Sequence, residues 1–314
     1  TMRRRGFFFL GLVVLLMALG AGGLVLASRL TGPSGACNRP DTGPPRPGTS
    51  VRTLVSLGQE RCYLLHLPKG GMPEGQRALV LSLHGFAERP RYHEIITGWN
   101  RIADREGLVV VYPQGTGRPL RWTASDVQFV RDLVAEVERL VSIDRQRVYV
   151  NGLSNGGAMT HRLACEAADL VAAAGMVAAP VAELPDGCMP SRPVPIVAFH
   201  GTGDSVVDYW GSPREPAPPG GSFSYLPAPV WTANWAARNG CAPEPESIPP
   251  SGDTSGVRYT RCEAGVEVVF YTIDGGGHTW PGGTPIPLVG KTTRDIDASE
   301  VMWQFFARFR LDAP

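Results

Sequence analysis

The sequence predicts an α/β protein with a mainly parallel central sheet and helices on both faces. Three observations carry this expectation. Continuous apolar runs recur at Ala78 to Leu83, Leu108 to Tyr112 and Val148 to Val150, the pattern of strands buried on both sides. Between them lie segments of helical period; Asp126 to Val141 places Val127, Val130, Leu133, Val134, Val137 and Leu140 on one face. The third is a strand that runs through Gly152-Leu153-Ser154-Asn155-Gly156 straight into helix-forming Ala158 to Ala167. Buried strands alternating with helices build a parallel sheet covered on both faces.

The elements follow in order. Arg3, Arg4 and Arg5 precede an uncharged, mostly apolar run from Phe7 to Ala27. That is the make-up of a secretory signal, and its length approaches the ~20 residues of a membrane span. Residues 1–30 are therefore read as a signal peptide or a signal anchor, with membrane anchoring through residues 7–27 as the second option. Either way the folded part is expected outside the cytoplasm. Residues 31–50 are rich in Pro and Gly and form a linker. The catalytic domain is assigned to residues 51–314.

Val51 to Leu57 and Arg61 to Leu67 alternate as two antiparallel edge strands. Tyr92 to Arg105 is expected as one helix. Val171 to Ala178 and Pro195 to Phe199 supply further strands. Val230 to Arg238 is helical, Gly265 to Ile273 is a late strand, and Ala242 to Gly256 is irregular. Asp297-Ala298-Ser299-Glu300 opens the last helix, which runs to about Phe309, with Asp297 as its cap.

Composition bounds the function. The 314 residues carry a net charge of +1, which argues against a nucleic-acid partner. Six cysteines agree with an oxidising compartment. Neighbour pairing is favoured because each bridge closes a modest loop: Cys37–Cys62, Cys165–Cys188 and Cys241–Cys262. Buried free thiols are the alternative, above all for the first pair. No Cys/His spacing suggests a metal, and no cofactor is expected. A monomer is expected.

The chemistry centres on Ser154. G-x-S-x-G between strand and helix holds a serine at the crest of a tight turn. Such a hydroxyl needs a base to take its proton, and in hydrolases of this design the acid and then the histidine follow the serine along the chain. His200 and His278 are the histidines beyond the following helix. His278, in a flexible Gly-rich loop after the late strand, is the expected base, and His200 is expected to stabilise a turn. Asp204 follows a buried strand in His200-Gly201-Thr202-Gly203-Asp204 and is the expected acid, ahead of Asp208 and Asp274. The oxyanion of an acyl-transfer intermediate needs preorganised donors; the backbone N–H groups of Asn155 and Phe86 are assigned to it. His84 ties the Phe86 loop together. Phe86, Trp122, Tyr209, Trp210 and Trp280 are candidate substrate-binding aromatics in the loops.

Gly152 to Met159 with Arg162 to Glu166, His200 to Val207, and Gly277 to Gly282 together resemble the exported polyhydroxybutyrate depolymerase and feruloyl esterase family. Leu81 to Phe86 and Tyr112 to Gly115 are similar too, so the likeness covers roughly Thr53 to Phe309. The resemblance implies an α/β-hydrolase fold, a Ser154–His278–Asp204 triad and a disulfide near Cys165. It implies an ester or polyester substrate: polyhydroxybutyrate-type, feruloyl or other aryl esters, with terephthalate-type polyesters or acetylxylan as alternatives. Asp208 departs from the family's usual proline, and Tyr209-Trp210 is unusually aromatic. A serine peptidase on the same fold and a non-catalytic, envelope-anchored binding module are the rival readings.

Overall fold

The computed structural model describes residues 39–70, 75–182, 184, 187–212 and 224–312. The N-terminal signal or anchor segment, including residues 7–27, lies outside them, as does Cys37.

One ten-stranded sheet runs through the molecule in the order β1-β2-β4-β3-β5-β6-β7-β10-β9-β8. The strands are β1 (Gly48–Ser56), β2 (Gln59–Leu67), β3 (Arg77–Leu83), β4 (Val109–Pro113), β5 (Ile143–Leu153), β6 (Ala173–Val177), β7 (Ile196–Gly201), β8 (Glu246–Ser251), β9 (Thr254–Tyr259) and β10 (Val268–Ile273). The run β4-β3-β5-β6-β7-β10 is parallel throughout, with antiparallel pairs at both margins. The helices are α1 (Pro90–Thr97), α2 (Trp99–Glu106), α3 (Asp126–Leu140), α4 (Asn155–Glu166), α5 (Ala228–Arg238) and α6 (Ala298–Phe306).

Alternate side chains of each strand face opposite ways, and they divide the core in two. Leu79, Leu81, Val148, Val150, Ile196 and Ala198 pack under α3, α4 and α5 with Leu133, Leu163 and Trp235. Val80, Tyr149, Val197, Phe199 and Val269 pack on the other face under α1, α2 and α6 with Ile96, Trp99, Met302 and Phe306. The central strands are apolar on both faces because each face has its own helical cover. Among the described residues no helix is long and apolar enough to cross a membrane.

Three local readings are corrected. The helix expected over Tyr92 to Arg105 is two helices, broken at Gly98, whose φ of 65° closes α1 in the left-handed conformation. The stretch expected to be irregular after Ala242 forms the β8–β9 hairpin, which adds two antiparallel strands beyond β10. Pro249 and Pro250 fall on its outer strand, within the stretch where the register shifts between Ile248 and Ser251; an edge strand tolerates the missing N–H groups. The first strand begins at Gly48, inside the stretch read as linker. Asp297 caps α6 as expected, its side chain accepting from the Glu300 amide.

The disulfides Cys165–Cys188 and Cys241–Cys262 are both formed. Cys62 is also disulfide-bonded; its expected partner Cys37 lies outside the described residues.

Candidate active site

Registers across the parallel strands bring four loops to one edge of the sheet. Leu83 is level with Gly152, Leu153 with Val177, Val177 with Phe199 and Gly201 with Ile273. The loops that follow β3, β5, β7 and β10 carry Phe86, Ser154, Asp204 and His278.

Ser154 sits between β5 and α4 with φ 55° and ψ −120°, a conformation disfavoured for a residue with a Cβ and costing of order 1–3 kcal/mol. Its amide donates to Val177 O at 2.9 Å, which anchors the turn to β6. The turn closes only because residue 156 is glycine: a Cβ there would lie 2.1 Å from Leu83 O. The Ser154 hydroxyl makes no hydrogen bond within the described residues, and it is partly exposed.

Asp204 and His278 meet directly. His278 Nδ1 lies 2.8 Å from Asp204 Oδ2, and both side chains are nearly or wholly buried. The other carboxylate oxygen accepts from the amides of Val206 and Val207 at 2.9 and 2.8 Å. Burial pushes the Asp204 carboxyl up, but the His200 ring 3.5 Å away and the hydrogen bonds from His278 and the Val207 amide outweigh it and hold the group below the usual carboxylate range. With Asp204 ionised, His278 donates Nδ1–H and leaves Nε2 free to accept a proton. Gly201 allows the two loops to approach, since a Cβ there would lie 2.1 Å from Gly276 O.

The rival acids are engaged elsewhere. Asp208 Oδ1 accepts from the Trp210 amide at 2.8 Å, a local turn that accounts for an aspartate in place of proline. Asp274 Oδ1 accepts from the Thr202 hydroxyl at 3.2 Å. His200 donates Nε2–H to Val207 O at 2.8 Å and so stabilises a turn, as expected. The His278 loop, expected to be flexible, is tied down: the His278 amide bonds Val289 O at 2.7 Å, and Gly277 and Thr279 both bond Lys291 O. Glycine was the misleading signal there; these glycines serve close backbone packing.

The candidate oxyanion donors are presented by two turns. In the loop after β3, Gly85 N–H donates to Glu88 Oε2, Ala87 N–H to Leu120 O and Glu88 N–H to Gly85 O. Phe86 N–H alone in that turn has no acceptor among the described residues. Asn155 N–H is the first amide of α4, one of the donors a helix leaves unpaired. His84 ties this region together: it donates Nδ1–H to Gly85 O at 2.7 Å and accepts from Gly115 N–H at 3.0 Å. Burial lowers its pKa to about 4, so the ring is neutral.

Three of the five aromatic candidates are corrected. Trp280 is fully buried, donates to Ser299 and packs edge-on against His93. Tyr209 is buried with its hydroxyl on Thr272. Trp122 is buried and structural, its indole N–H donating to His84 O and its amide to Asn155 Oδ1, both at 2.8 Å. Phe86 and Trp210 are exposed, at 45% and 70%. Aromatic side chains near strand ends are equally useful for closing the core, and composition does not separate the two uses. Sequence reasoning also passed over Glu88, Ser82, His93 and Asn151, which back the Phe86 loop; their spacing carries no recognisable signal.

His161, on α4, is buried beside Cys165, and burial followed by the charges of Arg238 and Arg162 lowers its pKa to about 3. His84 and His161 therefore bind protons more readily in the unfolded chain. Their stabilising contribution is fully present above about pH 6.5 and is lost as pH falls toward 4 for His84 and 3 for His161. Each contributes a slope of up to about 1.4 kcal/mol per pH unit in its window. Chemical unfolding followed between pH 7 and 4 is expected to show this loss, with a shallower slope in His161→Gln.

No family model matches the chain. A putative esterase, NocK, from Nocardia uniformis subsp. tsuyamanensis is 32% identical over 286 residues, spanning 82% of each chain. Feruloyl esterase B of Piromyces equi is 32% identical over 69% of this chain and 42% of its own length. The poly(3-hydroxybutyrate) depolymerase of Ralstonia pickettii is 28% identical over 74% of this chain and 53% of its own. Among solved structures, an acetyl xylan esterase from Aspergillus awamori superposes with a TM-score of 0.59 over 82% of this chain and 99% of its own, at 14% identity; that likeness bears on the fold alone. The sheet order, the strand–serine–helix turn and a relative matched along most of its length agree on one assignment: the chain belongs to the polyhydroxybutyrate depolymerase and feruloyl esterase family of α/β-hydrolase-fold carboxylic-ester hydrolases.

Proposed function

We propose that Ser154, His278 and Asp204 form the catalytic triad of an exported serine esterase acting on polyhydroxybutyrate-type, feruloyl or other aryl esters. Ser154 Oγ attacks the ester carbonyl while His278 Nε2 takes its proton; His278 then protonates the leaving alcohol, and an acyl-enzyme remains. A water molecule, deprotonated by His278, attacks the acyl carbon and releases the acid with Ser154 restored. Phe86 N–H and Asn155 N–H receive the oxyanion in both steps.

The observation that carries this reading is the 2.8 Å bond between His278 and a doubly amide-bonded Asp204, at the sheet edge that also holds the strained serine. Hydrogen bonds to a nucleophile are often long before substrate binds and tighten with it. Export rests on the basic and apolar N-terminal sequence and on the disulfides. The exposed rings of Phe86 and Trp210 support a flat or apolar acyl group.

A fluorophosphonate probe tests the mechanism: the serine oxygen displaces fluoride from phosphorus, and peptide mass spectrometry is expected to find one label per chain, on Ser154. Labelling elsewhere overturns the assignment. Hydroxybutyrate oligomers, methyl ferulate and a terephthalate ester compared by kcat/KM then select the acyl group; hydrolysis of none of these or of p-nitrophenyl butyrate favours the binding-module reading.

A further inference from the structure

We propose that Glu88 is a positioning residue that holds the turn presenting the Phe86 N–H toward the oxyanion, with the buried His93, itself tied to β5 through Ser82 and Asn151, packed behind it. The proposal rests on the reading of Phe86 as an oxyanion donor.

The support behind Glu88 starts three residues before the serine. Ser82 Oγ donates to Asn151 Oδ1 at 2.7 Å, tying β3 to β5. The same oxygen lies 3.1 Å from His93 Nε2, and since its one proton goes to Asn151 it accepts from that ring nitrogen. His93, on α1, is wholly buried, held between Tyr112 and Trp280. Its Nδ1 has no hydrogen-bond partner and faces Glu88 Oε2 at 3.5 Å. That carboxylate oxygen in turn accepts Gly85 N–H at 2.8 Å.

Glu88 thus closes its turn twice, by its own amide on Gly85 O and by its side chain on Gly85 N–H. The side-chain bond fixes the His84–Gly85 peptide; the Gly85–Phe86 peptide, which carries the Phe86 N–H, is held at Gly85 O by His84 Nδ1–H and the Glu88 amide, and with Ala87 N–H on Leu120 O these bonds leave Phe86 N–H as the turn's free donor among the described residues. An oxyanion donor works when it is oriented before the charge develops, because reorientation during the reaction would cost part of the stabilisation. Without the Glu88 carboxylate the turn loses its anchor at Gly85 N–H, and the Gly85-Phe86 peptide keeps only its bonds at Gly85 O. Glu88 touches neither substrate nor nucleophile; it acts through the peptide it braces.

The test compares isosteric replacements on p-nitrophenyl butyrate. Glu88→Met fills the same space without an acceptor and is expected to lower kcat by about ten- to a hundredfold at nearly unchanged KM, less than the ~10²–10³ of losing a donor outright. Glu88→Gln keeps a carbonyl acceptor for Gly85 N–H and is expected to recover most of that rate. His93→Gln is expected to lower kcat several-fold, with the Glu88→Met/His93→Gln double variant no slower than Glu88→Met, since His93 acts through Glu88. Thermal melts establish that each variant folds; should Glu88→Met not fold, His93→Gln decides alone. Wild-type kcat in Glu88→Met, an equal loss in Glu88→Gln, or multiplicative losses in the double variant overturns the proposal, as does unchanged kcat in His93→Gln. Ser154→Ala is assayed alongside: full activity there refutes the serine mechanism, whereas an inactive Ser154→Ala beside a fully active Glu88→Met refutes only the role of Glu88.

Discussion

Replacing Ser154 with alanine is expected to lower kcat on p-nitrophenyl butyrate by about 10⁴-fold or more, with the melting temperature held or slightly raised. The loss follows from removing the proposed nucleophile: without it no acyl-enzyme forms, and what would remain is stabilisation by the proposed donors Phe86 and Asn155 acting on a water molecule. The fold is expected to survive because the Ser154 hydroxyl bonds nothing within the described residues, and the turn is held by the Ser154 amide on Val177 O and by Gly156. Alanine at φ 55° carries the same strain that serine carries now. Steady-state hydrolysis and fluorophosphonate labelling measured together make the check. Retention of near-wild-type rate would move the chemistry away from this serine.

Asp204→Asn is the second large effect, a fall in kcat of about 10⁴-fold with little change in KM. The reason is a tautomer. Asp204 uses one oxygen for the Val206 and Val207 amides and the other for His278 Nδ1–H. Asparagine has one carbonyl oxygen, and the two amides compel it to face them. Its NH₂ group then points at His278 Nδ1, which must accept rather than donate, so the ring proton moves to Nε2. A ring protonated at Nε2 cannot take the proton of Ser154. Asp208→Asn and Asp274→Asn are expected to stay near wild type, because their carboxylates bond the Trp210 amide and the Thr202 hydroxyl. A full-rate Asp204→Asn would reassign the acid.

The readings that held rest on local rules. Asp297 caps its helix because a carboxylate reaches an amide three residues on. Gly156 is required by a turn whose atoms all lie within a few residues or on the neighbouring strand. Asp204 and His278, which bond each other and belong to the proposed triad, stood out because each follows a buried strand. The readings that failed depended on what lies across space. Trp280 sits two residues from His278, yet its ring turns inward against His93, from a helix nearly 200 residues earlier in the chain. The β8–β9 hairpin has few apolar residues and was read as irregular; its backbone pairs with β10, and that partner is remote in sequence.

The sequence by itself determined the alternation of buried strands and helices and the tight serine turn, and it put forward Ser154, Asp204 and His278 as candidates, because periodicity and turn stereochemistry act over short stretches of chain. Tertiary structure alone decided that Asp204 rather than Asp208 or Asp274 bonds His278, that Phe86 and Trp210 are the exposed aromatics among five candidates, and that Glu88 and His93 stand behind the Phe86 loop. Those outcomes turn on contacts of a few ångströms between loops from different strands. Strand register and core packing set such contacts, and neither can be read from a residue's own neighbours in the chain.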